Sequence, residues 1–335
     1  MKLGDIIRRL DFKQELTQGI KSGFSDLDNI IGRFQGGNLY VLAGRPAMGK
    51  SALILNIARN VSLDDKSGVM LFTLEQSHEQ IATRFISAVS CIDIVKLTQR
   101  NLEDYECNQL VECAHAIEKA PLYILSTSGL TIDELVAQSR KYIKAHNVKL
   151  LLVDDIHKLR LGEEQRKFAA NREQEVSCIV RELKLLAREL RVPIIAVSQL
   201  NRNTENRGGS KRPILSDLRD SGAIEDEADV VLLLYREDYY GIIEDRFGKP
   251  TTGRAELIVA KHRDGVEASV FLRFIGKLVK FISNKEEITI DEYNSSKVWL
   301  NGIDEGQTKG RVRLGTRMRL GKPSSFHDFE DEPPF

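Results

Sequence analysis

Short apolar runs and amphipathic stretches alternate along most of this chain. Leu39-Tyr-Val-Leu-Ala43, Val69-Met-Leu-Phe-Thr-Leu74, Leu122-Tyr-Ile-Leu125, Lys149-Leu-Leu-Leu-Val153 and Ile194-Ile-Ala-Val-Ser198 are short and almost wholly apolar. Runs of that kind suit strands buried on both faces. Helical patterns lie between them: Ala52–Ala58, about 77–90, a polar stretch near 101–119 that Pro121 ends, and a segment running from Thr131 to about 146. Thr131 and Glu134 have the spacing of a capping box. The clearest helix is 171–190, where Val176, Ile179, Val180, Leu183, Leu186, Ala187 and Leu190 keep the 3.6-residue period. Residues 201–213, rich in Asn, Arg, Gly and Lys, read as a loop with Gly208-Gly209 and Pro213 as breakers. Strands follow at Val230–Tyr235, Ala255–Ala260 and Val270–Phe274. Alternation of this kind predicts an α/β fold: a mostly parallel twisted sheet with helices on both faces.

The ends read differently. Residues 1–19 suit a short amphipathic helix, with Ile6, Ile7 and Leu10 on one face and Leu3 near them. That face packs either on its own domain or on a neighbouring subunit. Beyond Phe281 the pattern weakens. Lys309–Lys322 holds six basic residues and no acid, the chain closes on Asp328-Phe-Glu-Asp-Glu-Pro-Pro-Phe335, and a poorly ordered tail is expected from about 300.

Composition narrows the class. With 335 residues the chain has room for one large α/β domain plus extensions, or for two small domains, with no need of disulfides or metal for stability. Apolar content of 41% and charged content of 29% fit a globular protein, and zero net charge means that any nucleic-acid-binding surface must be local. Cys91, Cys107, Cys113 and Cys178 form no zinc pattern and read as reduced thiols in a cytoplasmic setting. The N-terminus lacks a signal-peptide core, and no apolar run approaches the roughly 18 residues of a membrane span.

The chemistry concentrates at Gly44-Arg-Pro-Ala-Met-Gly-Lys-Ser51, between the first strand and the helix opening at Ala52. This is a phosphate loop in its proper context. Glycines let backbone amides wrap a polyphosphate, and the helix N-terminus adds its dipole. Gly44, Arg45, Pro46, Ala47, Met48, Gly49, Lys50, Ser51 and Ala52 are the expected nucleotide-binding set. Lys50 serves the β- and γ-phosphates, and Ser51 offers a hydroxyl to Mg²⁺. A nucleoside triphosphate and Mg²⁺ are therefore expected here, and ATP is the nucleotide that the resemblance below implies. Glu75, Asp154 and Gln199 each sit at the carboxyl end of a predicted strand, where ligands of such sheets gather.

The ordered set of motifs resembles a known family. Gly23-Phe-Ser-Asp-Leu-Asp28, the phosphate loop, Phe72-Thr-Leu-Glu75, Ser198-Gln-Leu-Asn-Arg202, Ser216-Asp-Leu-Arg-Asp-Ser-Gly-Ala-Ile-Glu225 and Ala260-Lys-His-Arg-Asp-Gly265 fall within about 20–283. Together they are similar to the C-terminal motor domain of DnaB-type replicative DNA helicases, which has a RecA-like fold. The resemblance implies a hexameric ring that hydrolyses ATP and moves 5′ to 3′ on single-stranded or forked DNA. It implies that Glu75 activates the attacking water, Asp154 holds Mg²⁺ and Gln199 is a polar sensor. Lys261 and Arg263 would reach the neighbouring subunit's site, Arg263 as an arginine finger. Arg219, Asp220 and Gly222 match the segment that tracks DNA phosphates, and Arg207, Lys211 and Arg212 could add charge. Asp155 reads as a supporting residue, and His157 is not expected to be catalytic.

Some readings stay open beside these: Glu75 as a helix-capping acid, Arg263 as a surface ion-pair partner, 201–213 as a solvated loop. The family's N-terminal domain, which binds primase, has no counterpart in the roughly 20 residues before the motor. Primase binding is therefore not implied. The acidic Pro-Phe terminus resembles the tip of bacterial single-stranded-DNA-binding proteins and suggests replication or repair partners. The competing functions are a RecA-like ATPase of recombination or repair, which the Lys261-x-Arg263 element opposes, and a non-catalytic subunit modulating a host helicase ring, which Lys50, Glu75 and Asp154 oppose.

Overall fold

The computed structural model describes residues 19–284 except 168, 202, 208, 209, 219, 220 and 246. The expected N-terminal helix and the tail from 285 onward lie outside the described residues.

Among the described residues nine strands form one sheet: β1 (Leu39–Gly44), β2 (Gly68–Thr73), β3 (Leu122–Ser126), β4 (Val148–Asp154), β5 (Ile194–Gln199), β6 (Val230–Tyr235), β7 (Arg254–His262), β8 (Ala268–Ile275) and β9 (Lys280–Ser283). Their order is β3-β2-β4-β5-β1-β6-β7-β8-β9. The first six in that order run parallel, and β7, β8 and β9 are added antiparallel. Every residue of β1, β2 and β6 is buried, as a parallel sheet covered on both faces requires.

The main helices are α1 (Ser25–Ile31), α2 (Lys50–Arg59), α3 (His78–Ser90), α4 (Ile94–Gln99), α5 (Asp104–Glu118), α6 (Ile132–His146), α7 (Arg172–Leu190) and α8 (Ser221–Glu227). Alternate strand residues feed two cores. Leu39, Val41, Ala43, Phe72 and Val153 pack with Val176, Ile179 and Leu183 of α7 and Leu135 of α6. Tyr40, Leu42, Leu71 and Leu152 pack with Leu53, Ile54 and Ile57 of α2 and Leu27 of α1. The expected capping box is present: Thr131 and Glu134 bond reciprocally at the start of α6. At α7 the cap is Asn171, whose side chain accepts from Gln174 N.

Helices α1, α4 and α8 and strand β9 escaped the sequence pattern. Helix α4 is too short to show a period. Strand β9 is recruited by pairing with β8, from Leu272↔Ser283 to Ile275↔Lys280. It is also stitched to α2: Asn56 donates to Val279 O at 2.8 Å and accepts from Phe281 N at 3.1 Å. The phosphate-loop helix thus rests on the far edge of the sheet.

The opposite end of the parallel strands is held by charge. Asp229, just before β6, accepts from Leu39 N at 2.8 Å and pairs with Lys184 of α7. Lys184 also donates to Gly37 O at 2.9 Å. Both side chains are buried, so each depends on the other to offset its lost hydration.

Candidate nucleotide site

The phosphate loop is built where β1 ends and α2 begins. Ala47 and Gly49 have φ of 63° and 103°, in the left-handed region that turns the backbone sharply. At Gly49 a side chain would be strained by φ and crowded by Phe281, whose ring would lie 3.1 Å from an added Cβ. Lys50 Nζ donates to Gly44 O at 2.8 Å and Arg45 O at 3.1 Å. Burial pushes the Lys50 ammonium below its ordinary pKa, partly opposed by Asp155 and Asp154. An ammonium with little water around it binds a phosphate strongly. Met48 is fully buried beneath the loop, while Pro46 and Ala47 are exposed on it.

Neighbouring strand ends deliver the acids. Asp154 ends β4 and forms a hydrogen bond with Ser51, whose hydroxyl donates. Asp155 Oδ2 accepts from Gln199 Nε2 at 2.7 Å, and its Oδ1 accepts from His157 N at 2.8 Å. His157 Nε2 lies 2.9 Å from Ser198 Oγ. His157 therefore ties the exit of β4 to β5, in keeping with a structural place. Glu75 follows β2, where Leu74 N donates to Asp154 O at 2.9 Å and holds the two strand ends together. The Glu75 carboxylate is half exposed and pairs with Lys158 Nζ at 2.8 Å. It is not a helix cap: Ser77 and Gln80 cap α3. The Lys158 pairing was not read from the sequence, because a lysine 83 positions from its partner carries no local signal.

Asp154 has a measurable electrostatic signature. Burial is the main cause that raises its carboxyl to about 6, with Asp155 and Glu75 adding to the rise and Ser51 and Lys50 opposing it. An acid whose pKa is higher folded than unfolded stabilises the fold while protonated. That stability is lost as pH rises from the unfolded value through about 6. Asp154→Asn removes the cost of ionisation. At pH 8 without Mg²⁺ it should be more stable than the native chain by about 3 kcal/mol, the gap closing near pH 4. Denaturant midpoints across that range test it; a gap that does not change with pH counts against a buried ionised Asp154.

Lys261 and Arg263 fall elsewhere. Strand β7 is antiparallel to β6, with Val230 opposite His262 and Val231 opposite Lys261. Since Tyr40 is level with Val230, the end of β7 lies at the amino edge of the parallel strands. The four-residue step from Tyr40 to Gly44 alone is about 13 Å. Arg263 NH1 donates to Asp229 Oδ1 at 3.2 Å, so it does make an ion pair, yet its side chain stays half exposed. Lys261 Nζ donates to the Glu225 and Asp226 carbonyls at the end of α8. Neither residue joins the chain's own phosphate loop.

The expected plain loop at 201–213 is corrected. Asn203–Asn206 forms a helical turn, and Leu200 bridges to Leu218. Lys211 Nζ donates to Glu205 O at 2.7 Å and Arg207 O at 2.6 Å. Arg207 reaches Asp217 at 3.2 Å and Arg212 O at 2.6 Å, and Arg212 pairs with Glu256 at 2.7 Å. These cations knit the segment together. Gly222 is exposed in α8; Arg219 and Asp220 lie outside the described residues.

A phosphate loop at the carboxyl edge of a mostly parallel sheet, with acids and an amide at adjoining strand ends, defines a RecA-like P-loop ATPase fold. The comparisons narrow this. The model of the DnaB-like helicase C terminal domain matches residues 19–283, and the chain belongs to that family. The replicative DNA helicase DnaC of Bacillus subtilis (strain 168) is 37% identical over 281 residues, covering 83% of this chain and 60% of the relative. A probable replicative DNA helicase of Trieres chinensis is 40% identical over 278 residues, covering 82% and 60%. The chain thus spans about 60% of the length of these curated relatives. Among solved structures, a DnaB-like replicative helicase, described with its interactions with primase, superposes with a TM-score of 0.75 at 30% identity, over 84% of this chain and 66% of that one. A solved ATPase domain gives 0.76 at 30% identity, over 84% and 97%.

Proposed function

We propose that this chain is the motor of a ring-forming DNA helicase, hydrolysing ATP to move along single-stranded DNA during replication, 5′ to 3′ as the family resemblance implies. The observation that carries this reading is the separation of Lys261 and Arg263 from the phosphate loop of the same subunit. Cations at the amino edge of the strands complete a site only if a second copy presents that edge to the first. Repeating the contact around an axis gives a closed ring. The relatives named replicative DNA helicases support the same reading.

Within the site, the positive-φ turn and the desolvated Lys50 suit a nucleotide triphosphate. Ser51 and Asp154 offer hard oxygens, the donors that Mg²⁺ takes. Mg²⁺, when bound, offsets charge on the β- and γ-phosphates. Glu75 orients the attacking water and accepts its proton on a carboxylate oxygen, with Lys158 fixing where that carboxylate points. Asp155 holds the Gln199 amide at the end of β5. Gly222, with Arg219 and Asp220, would follow DNA phosphates; Arg207, Lys211 and Arg212 would shape that surface. Contacts to phosphate make binding sequence-tolerant and salt-sensitive. The acidic Pro-Phe terminus would recruit replication proteins, and the work would be done in the cytoplasm.

The test is unwinding of a forked duplex by the chain with ATP and Mg²⁺. Unwinding is expected, and none should occur with a non-hydrolysable analogue. ATP hydrolysis that DNA does not stimulate, with no unwinding at any protein concentration, would overturn the reading.

A further inference from the structure

One cation of the phosphate loop is held by the segment that follows β5. Arg45 is 8% exposed, and its guanidinium is turned toward the exit of β5. Nε donates to Glu205 Oε1 at 2.8 Å, and NH1 donates to Leu200 O at 3.0 Å. A guanidinium cannot shed its charge, so one this buried is held by its partners and moves with them. Its backbone belongs to the phosphate loop, where Arg45 O accepts from Lys50 Nζ at 3.1 Å. Its side chain belongs to the next segment.

The described residues of that segment are tied to one another and lead onward. Glu205 O accepts from Lys211 Nζ, Arg207 spans to Asp217, and Asn201 N donates to Asp217 O at 2.8 Å. Asp217 stands two residues before Arg219. Lys50 already spends two of its donors on the Gly44 and Arg45 carbonyls. A phosphate competing for that ammonium changes the hold on the Arg45 carbonyl directly.

We infer that Arg45 is a positioning residue: through Glu205 and Leu200 it couples phosphate occupancy of the loop to the conformation of residues 200–217. The route is separate from that through Gln199 and Asp155, since it leaves from the loop rather than from the strand end. Glu205 is the point at which to cut it, because its side chain is 39% exposed and it is outside the catalytic set.

Hydrogen exchange of the peptide spanning 200–217, with and without a non-hydrolysable ATP analogue and Mg²⁺, tests the coupling. In the native chain the nucleotide should change exchange there by about fivefold or more, the lower range of measured site-to-site couplings. In Glu205→Ala the change should fall below about twofold. Glu205→Gln, which keeps an oxygen for Nε but no charge, should be intermediate. It also serves if the alanine variant does not fold. An unchanged native peptide, or a variant responding like the native chain, overturns the inference.

A second readout rests on the proposed function. Glu205→Ala should keep basal ATP turnover and lose most of its stimulation by single-stranded DNA. If DNA neither stimulates the native chain nor is unwound by it, the helicase reading fails, while the exchange result still decides the coupling.

Discussion

Arg263→Ala should bind nucleotide as the native chain does and lose turnover by about 10³–10⁵, the range for loss of an arginine finger. Spared binding follows from placement: Arg263 is at the amino edge of the strands, beside Asp229, far from its own phosphate loop. Loss of turnover follows if that edge faces the next subunit's γ-phosphate. Mixing separates this from a structural effect. On the proposed reading, Glu75→Ala rings would lack the acid that activates water but retain the finger; Arg263→Ala rings would have the reverse. A mixed ring contains some interfaces at which an intact Glu75 meets an intact Arg263, so activity should reappear from two dead proteins. Strict inactivity of mixed rings shown to have exchanged subunits would leave Arg263 as a partner of Asp229 and nothing more. Lys184 remains with Asp229 in the variant, so the buried pair survives and the fold should too.

Lys50→Ala should fold and turn over ATP at least about 10²–10³ more slowly, the scale for removing one preorganised donor from a developing oxyanion. Folding is spared for a specific reason. Burial already disfavours the Lys50 ammonium, so deleting it removes a desolvated charge and exposes two backbone carbonyls to water. Lys50→Arg should not restore activity. Its planar fork cannot take the place of a compact ammonium that meets Gly44 O and Arg45 O at 2.8 and 3.1 Å. Steady-state ATP hydrolysis beside nucleotide binding measures both claims. A Lys50→Ala protein with more than about a tenth of native turnover would remove Lys50 from the chemistry.

The parallel core was legible because its strands are continuous apolar runs, and burial on both faces leaves no other pattern open to them. The loop at 44–51 was legible for the same local reason: its glycines sit where the backbone leaves little room, Gly49 at φ of 103° and Gly44 against the Leu234 carbonyl, 3.1 Å from an added Cβ. Thr131–Glu134 was legible as a cap, since a capping box is a contact over three residues. Strand β9 was not legible; four residues carry no period, and its pairing with β8 is settled by the neighbour. Nor was the work of the basic residues at 207, 211 and 212. Their charge is written in the chain, but whether a cation meets solvent, a carbonyl or a carboxylate depends on what the fold brings within about 3 Å.

Arg45 divides the two kinds of information most sharply. By position it is one of nine residues in the expected nucleotide-binding run, and sequence alone leaves open where its side chain goes. The tertiary structure turns it toward the exit of β5, because β5 and β1 are neighbours and Leu200 leaves the sheet beside the loop. Sequence by itself determined the parallel core of the sheet, the phosphate loop and the acids at the strand ends, all set by local backbone demands and burial. Only the tertiary structure decided which charges meet: Lys158 with Glu75, Arg45 with Glu205, Arg263 with Asp229. Those pairings span 83, 160 and 34 positions of chain, and at such separations contact is fixed by strand order and packing, not by spacing in sequence.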